Sequence, residues 1–154
     1  MMATRTILLV EDNSADEAFA MRAFNKHHVD AEVIVARDGQ EALDWLFGEG
    51  NPLPAFVLLD LKLPKISGLE VLKQIRASKR TALVPVIILT TSMQDADLRA
   101  SYALGGNSFV VKSLDMARFT LELGALTRFW LDINRAADGD YTYGGASPPA
   151  WAGS

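Results

Sequence analysis

Five short apolar runs punctuate this 154-residue chain, at residues 7–10, 32–36, 55–59, 84–89 and 109–111. Side chains alternate across a strand, so a strand that is apolar at nearly every position needs cover on both faces. Three of the runs have that character, and 32–36, which opens on Glu32, suits an edge. A dozen or more residues separate successive runs, enough for a crossover helix. Five such units predict a doubly wound α/β fold, a parallel sheet with helices on both faces and right-handed crossovers. Ligands in such folds bind beyond the carboxyl ends of the strands, at the point where strand order reverses.

The helix starts carry their own signals. Ser14, Asp38 and Ser67 are each followed three residues later by Glu, the reciprocal capping pattern. Gly48, Gly50, Gly105 and Gly106 mark far ends of helices. A last helix at about 115–135 places Met116, Phe119, Leu123, Leu126, Trp130 and Ile133 on one apolar face. His27 and His28 diverge on a helix and read as surface residues, not as a metal pair. Residues 1–135 thus read as one domain. Residues 136–154 are Gly-, Ala- and Pro-rich, a tail that nevertheless holds Tyr141, Tyr143 and Trp151.

Chemistry gathers at the strand ends. Glu11 and Asp12 follow the first run, Asp60 the third, Thr90 and Thr91 the fourth, and Lys112 the fifth. Each alone is an ordinary cap, turn or surface residue; their placement at four strand ends of one fold points to a site. Carboxylates about 4 Å apart repel by about 4 kcal/mol per pair at an effective dielectric near 20. A divalent cation relieves this, and an all-oxygen donor set suits Mg2+. Asp60 is then free to act as a nucleophile toward phosphorus, with Lys112 and the Thr90 hydroxyl holding the other phosphoryl oxygens.

The rest of the sequence excludes other chemistry. A net charge of −4 argues against a generic nucleic-acid binder. The absence of cysteine removes disulfide, thiolate and Cys-based zinc chemistry. No apolar run approaches the roughly 20 residues that span a bilayer, so no membrane association is expected and the cytoplasm is the expected location. An aspartate-nucleophile phosphatase wants a second acid two residues on, where Lys62 stands. A flavin-binding relative of the fold wants a hydroxyl- and Gly-rich first loop, and Glu11-Asp12-Asn13 repels its phosphate.

The four segments Ile7-Leu8-Leu9-Val10-Glu11-Asp12-Asn13, Leu58-Leu59-Asp60-Leu61-Lys62-Leu63-Pro64, Ile88-Leu89-Thr90-Thr91-Ser92 and Ser108-Phe109-Val110-Val111-Lys112 resemble the receiver domains of two-component response regulators. The likeness covers nearly all of residues 5–130. It implies a flavodoxin-like fold with strand order 2-1-3-4-5. It implies a phosphoprotein rather than an enzyme, taking phosphate on Asp60 from a sensor histidine kinase. Glu11, Asp12, Asp60 and the carbonyl of Lys62 would hold Mg2+. Thr90, Thr91 and Lys112 would meet the phosphate, and Phe109 would turn inward with Thr90.

A narrower likeness runs through Asp12-Asn13-Ser14-Ala15-Asp16, Asp38-Gly39-Gln40-Glu41-Ala42-Leu43, Leu63-Pro64-Lys65, Leu89-Thr90-Thr91-Ser92, Gly106-Asn107-Ser108 and Phe129-Trp130-Leu131. It is similar to single-domain regulators paired with bacterial phytochromes, which implies a bacteriophytochrome as kinase and a homodimer. The candidate dimer or partner surface is Leu121, Phe129, Trp130 and an arm at Tyr141 and Tyr143. Two residues depart from the family pattern: Ser113 stands where proline usually follows the lysine, and Phe109 replaces a frequent tyrosine. A Lys-Ser bond is expected to be trans. No output domain is expected after residue 135, which leaves a phosphorylation-dependent protein contact as output. A receiver-like scaffold or a phosphate sink is the alternative.

Overall fold

Alternation along each strand decides how the molecule is layered. The computed structural model describes residues 5–137. Strands β1 (Thr6–Val10), β2 (Glu32–Ala36), β3 (Phe56–Leu59), β4 (Val86–Thr90) and β5 (Ser108–Val111) alternate with helices α1 (Ser14–Lys26), α2 (Gly39–Leu46), α3 (Gly68–Ala77), α4 (Asp95–Ala103) and α5 (Met116–Arg128). A π-helical turn, Phe129–Ile133, continues α5. All pairings are parallel, as the apolar runs implied, in the order β2-β1-β3-β4-β5 that the resemblance implied. No helix among the described residues is long and apolar enough to cross a membrane.

Leu8, Val10, Val57, Leu59, Val86 and Ile88 face one way and pack with Leu43 and Leu46 of α2 and Leu72 and Ile75 of α3. Ile7, Leu9, Phe56, Leu58, Ile87 and Leu89 face the other way, against Ala20 and Phe24 of α1 and Phe119 and Leu123 of α5. Each large side chain so buried contributes about 1.5–3 kcal/mol. The order makes β2 and β5 the edges, and these are the two strands left partly exposed.

The helix caps refine the sequence pattern. Asp38 and Ser67 accept from the Glu41 and Glu70 amides, as expected. For α1 the cap is Asn13, which accepts from Asp16 N–H, and Ser14 already lies inside the helix. α5 starts at Asp115, whose carboxylate takes the amides of Ala117 and Arg118. On its expected apolar face, Phe119 and Leu123 are buried and Leu126 and Trp130 are partly buried. Met116, at the start of α5, and Ile133, at the end of the π turn, are exposed.

Two polar ties fasten the periphery. Arg76 of α3 donates to the carbonyls of Gly105 (2.9 Å), Ala82 (3.1 Å) and Val84 (2.7 Å) and to Asn107 Oδ1 (2.9 Å). Its partial burial pulls its pKa below the ordinary arginine value. His27 and His28 are both exposed, as expected, but His27 Nε2 lies 3.0 Å from the Thr120 carbonyl. The ring rests where a side chain at Gly124 would clash.

Candidate functional site

Glu11 and Asp60 become neighbours because β1 and β3 pair in register, Val10 opposite Leu59. The Asp60 amide donates to the Val10 carbonyl at 3.1 Å, and the Glu11 amide to Ala36 at 2.9 Å. This is where strand order reverses, between a β1–β2 pair on one side and β3–β4–β5 on the other. Lys112 arrives from the far edge, its amide bonded to the Thr90 carbonyl at 2.8 Å.

The Lys112 ammonium reaches across the strand ends to three carboxylates. It donates to Glu11 Oε2 at 2.5 Å, Asp60 Oδ2 at 2.9 Å and Asp16 Oδ2 at 2.9 Å. Its side chain is only 7% exposed, and that of Glu11 only 3%. Burial alone would lower the lysine pKa, but the bonds to Glu11, Asp16 and Asp60 outweigh it and hold the ammonium above its ordinary value. Burial raises the Glu11 pKa, against the opposing pull of Lys112. Further bonds orient the acids: Asn13 N–H donates to Glu11 Oε1 at 3.1 Å, and Lys62 N–H to Asp60 Oδ1 at 3.3 Å.

Carboxylate oxygens of Glu11, Asp12 and Asp60 lie within 4.8 Å of one another. They fit a hard divalent cation: all donors are oxygen, and Asp12 is exposed to supply the open side. A cleft of about 530 Å³ opens over them, lined by Asp12, Asn13, Asp16, Asp60, Lys62 and Thr91 among others. A smaller hollow of about 210 Å³, around Arg5, His28 and Arg128, holds none of these carboxylates.

The remaining sequence candidates divide. Thr91 lines the cleft, whereas Thr90 is wholly buried and its Oγ1 accepts from Ser92 N–H at 3.3 Å. Phe109 is half-buried and packs against the α2–α3 side of the core. Among the described residues no peptide bond is cis, so Lys112–Ser113 is trans. The Ser113 hydroxyl accepts from Asp115 N–H at 3.1 Å and so leads the chain into the α5 cap. Leu121 and Phe129 are exposed, while Trp130 is half-buried and meets Phe129 edge to face at 5.1 Å. Tyr141 and Tyr143 lie outside the described residues.

Asp16 belongs to the constellation and sequence reasoning passed over it. Its signal was positional: it lies in the first turn of α1, directly after the acidic pair.

Comparison with known proteins identifies a family and a shared fold. The profile of the response regulator receiver domain matches residues 7–123. The probable methanogenesis regulatory protein FilR2 of Methanothrix harundinacea is 44% identical over 133 residues, 84% of this chain and 86% of FilR2. The response regulator Rcp1 of Synechocystis is 36% identical over 132 residues, 83% of this chain and 90% of Rcp1. Its Mn2+-bound crystal structure superposes with a TM-score of 0.81 at 35% identity, over 87% of this chain and 99% of that one. The phosphorylated cyanobacterial phytochrome response regulator RcpA superposes with a TM-score of 0.83 at 35% identity, covering 88% of this chain and all of that one.

Proposed function

This chain belongs to the receiver domains of response regulators, and we propose that Asp60 is the residue on which it carries its signal. In that reading an Asp60 carboxylate oxygen attacks the phosphorus of a kinase phosphohistidine. The P–N bond breaks and an acyl phosphate forms on Asp60. The observation that carries the reading is the buried Lys112 ammonium 2.9 Å from Asp60, which would neutralise an incoming phosphoryl oxygen.

Glu11, Asp12, Asp60 and the Lys62 carbonyl would hold Mg2+, which supplies charge neutralisation at the transferring group. Thr91 lines the cleft and would meet the phosphate, with Thr90 and Phe109 moving inward as it arrives. Mass spectrometry after acetyl phosphate treatment tests this. A Mg2+-dependent gain of about 80 Da is expected, and it disappears in Asp60→Asn. No such species, or one that persists in the variant, sinks the reading.

The kinase is proposed to be a phytochrome, on the strength of the likeness to RcpA. The output is proposed to be a contact made by α5 and its π turn, with a second copy of the chain as the occupant. Exposed Leu121 and Phe129 support this. Light scattering on Leu121→Lys and Phe129→Lys is expected to show a smaller assembly than the parent; an unchanged mass rejects the surface. The tail, 136–154, is proposed as an arm to that partner.

A further inference from the structure

Thr90 and Thr91 are adjacent at the end of β4, yet only Thr91 lines the cleft. Thr90 is buried and hydrogen-bonded to the segment that follows it. Its Oγ1 accepts the Ser92 amide at 3.3 Å, and Ser92 is itself fixed from α4. The Ser92 hydroxyl donates to Asp97 Oδ2 at 2.5 Å and accepts the Gln94 amide at 3.3 Å. Asp97 sits in the first turn of α4, and its carbonyl accepts the hydroxyl of buried Ser101 at 2.7 Å. The helix has no side-chain cap at Gln94. A chain of polar contacts thus runs from Thr90 through Ser92 and Asp97 into α4.

Ser92 is only 4% exposed, so its polar groups need partners in any arrangement the segment adopts. Moving the Thr90 side chain toward a group on Asp60 leaves the Ser92 amide without its acceptor unless residues 90–94 follow. That movement pulls against the Ser92–Asp97 bond, a charge-assisted one and stronger than a neutral pair.

We propose that Ser92 and Asp97 form a latch that holds Thr90 back from the cleft, and that Asp97 is a positioning residue setting how readily the site takes a phosphoryl group. The inference rests on Asp60 as phosphoacceptor and adds a control on it. A latch that disfavours the engaged arrangement weakens apparent affinity for a phosphoryl group by the fraction of molecules that are competent. Cutting it strengthens that affinity without touching a metal ligand.

Beryllofluoride, which mimics an acyl phosphate, is the probe, titrated calorimetrically onto the full chain in saturating Mg2+. Ser92→Ala and Asp97→Ala are expected to bind it roughly three- to tenfold more tightly than the parent, with Mg2+ affinity alone unchanged. Asp97→Asn keeps an acceptor oxygen for the serine hydroxyl but loses the charge, and is expected to fall between the parent and Asp97→Ala. Equal or weaker beryllofluoride binding by both alanine variants overturns the latch, as does a change that appears only in Mg2+ affinity. A parent chain that binds no beryllofluoride overturns the reading of Asp60, and the latch falls with it.

Discussion

Lys112 stands where removal of one side chain leaves three carboxylates facing each other. Its ammonium is shared among Glu11, Asp16 and Asp60 with almost no access to water. Breaking a buried ion network by deleting one partner costs about 3 kcal/mol, because the remaining charges stay unpaired. Lys112→Ala is therefore expected to lower unfolding stability by that order in chelator. Millimolar Mg2+ should restore more stability to the variant than to the parent, since the cation then replaces the missing charge; thermal unfolding with and without metal reads the difference. Equal gains from Mg2+ in both proteins would contradict the account. At this scale the sequence was informative about residue type and strand-end placement. It was silent about direction: nothing in Thr90-Thr91 says which hydroxyl opens to the cleft, because that depends on Ser92 and α4. The share of Lys112 taken by Asp16 was equally hidden, since it depends on how α1 leaves its cap.

Among the elements, α3 is the one on which Asp60 leans. A Cβ at Gly68 would fall 2.2 Å from the Asp60 carbonyl oxygen and 2.6 Å from Leu61 Cα, both backbone atoms that cannot turn aside. Gly68→Ala must push the helix start away from the strand end. A loss of about 2–3 kcal/mol is expected from this overpacking. It is measurable by urea unfolding, and phosphorylation of Asp60 should slow with it. A second close approach, of Ile66 to Gly39, and an ion pair of 3.2 Å between Lys65 and Asp38 pin the intervening loop to α2. Lys65 itself takes a left-handed backbone, φ 65°, which a β-carbon makes costly. The strands and the caps at Asp38 and Ser67 were legible because periodicity and capping are local. These glycine contacts join segments distant in sequence, so no local pattern announces them. The shift of the first cap from Ser14 to Asn13 is a choice between two good cap residues that chain geometry makes.

For the molecule as a whole, the layering follows from the strands and the fastenings do not. Uniformly apolar runs dictate two core faces, and the observed halves obey that rule. Arg76, by contrast, looks like any basic residue in the last turn of a helix, yet it gathers four acceptors from the α3–β4 and α4–β5 connections. Lysine lacks the planar fork that serves them together. Arg76→Lys is expected to cost about 2 kcal/mol in denaturant unfolding, and an unchanged midpoint would show the fork to be dispensable. Arg5 does similar work between the chain's beginning and its last turn, donating to the Leu131 carbonyl at 2.7 Å.

The three ion pairs of Lys112 join positions 101, 96 and 52 residues apart. No partial product of synthesis that stops before β5 contains them, however well its earlier strands have paired. The strand-end cluster is therefore complete only once β5 has been made and has paired with β4, so under the proposed role of Asp60 its cationic neighbour is the last part to arrive.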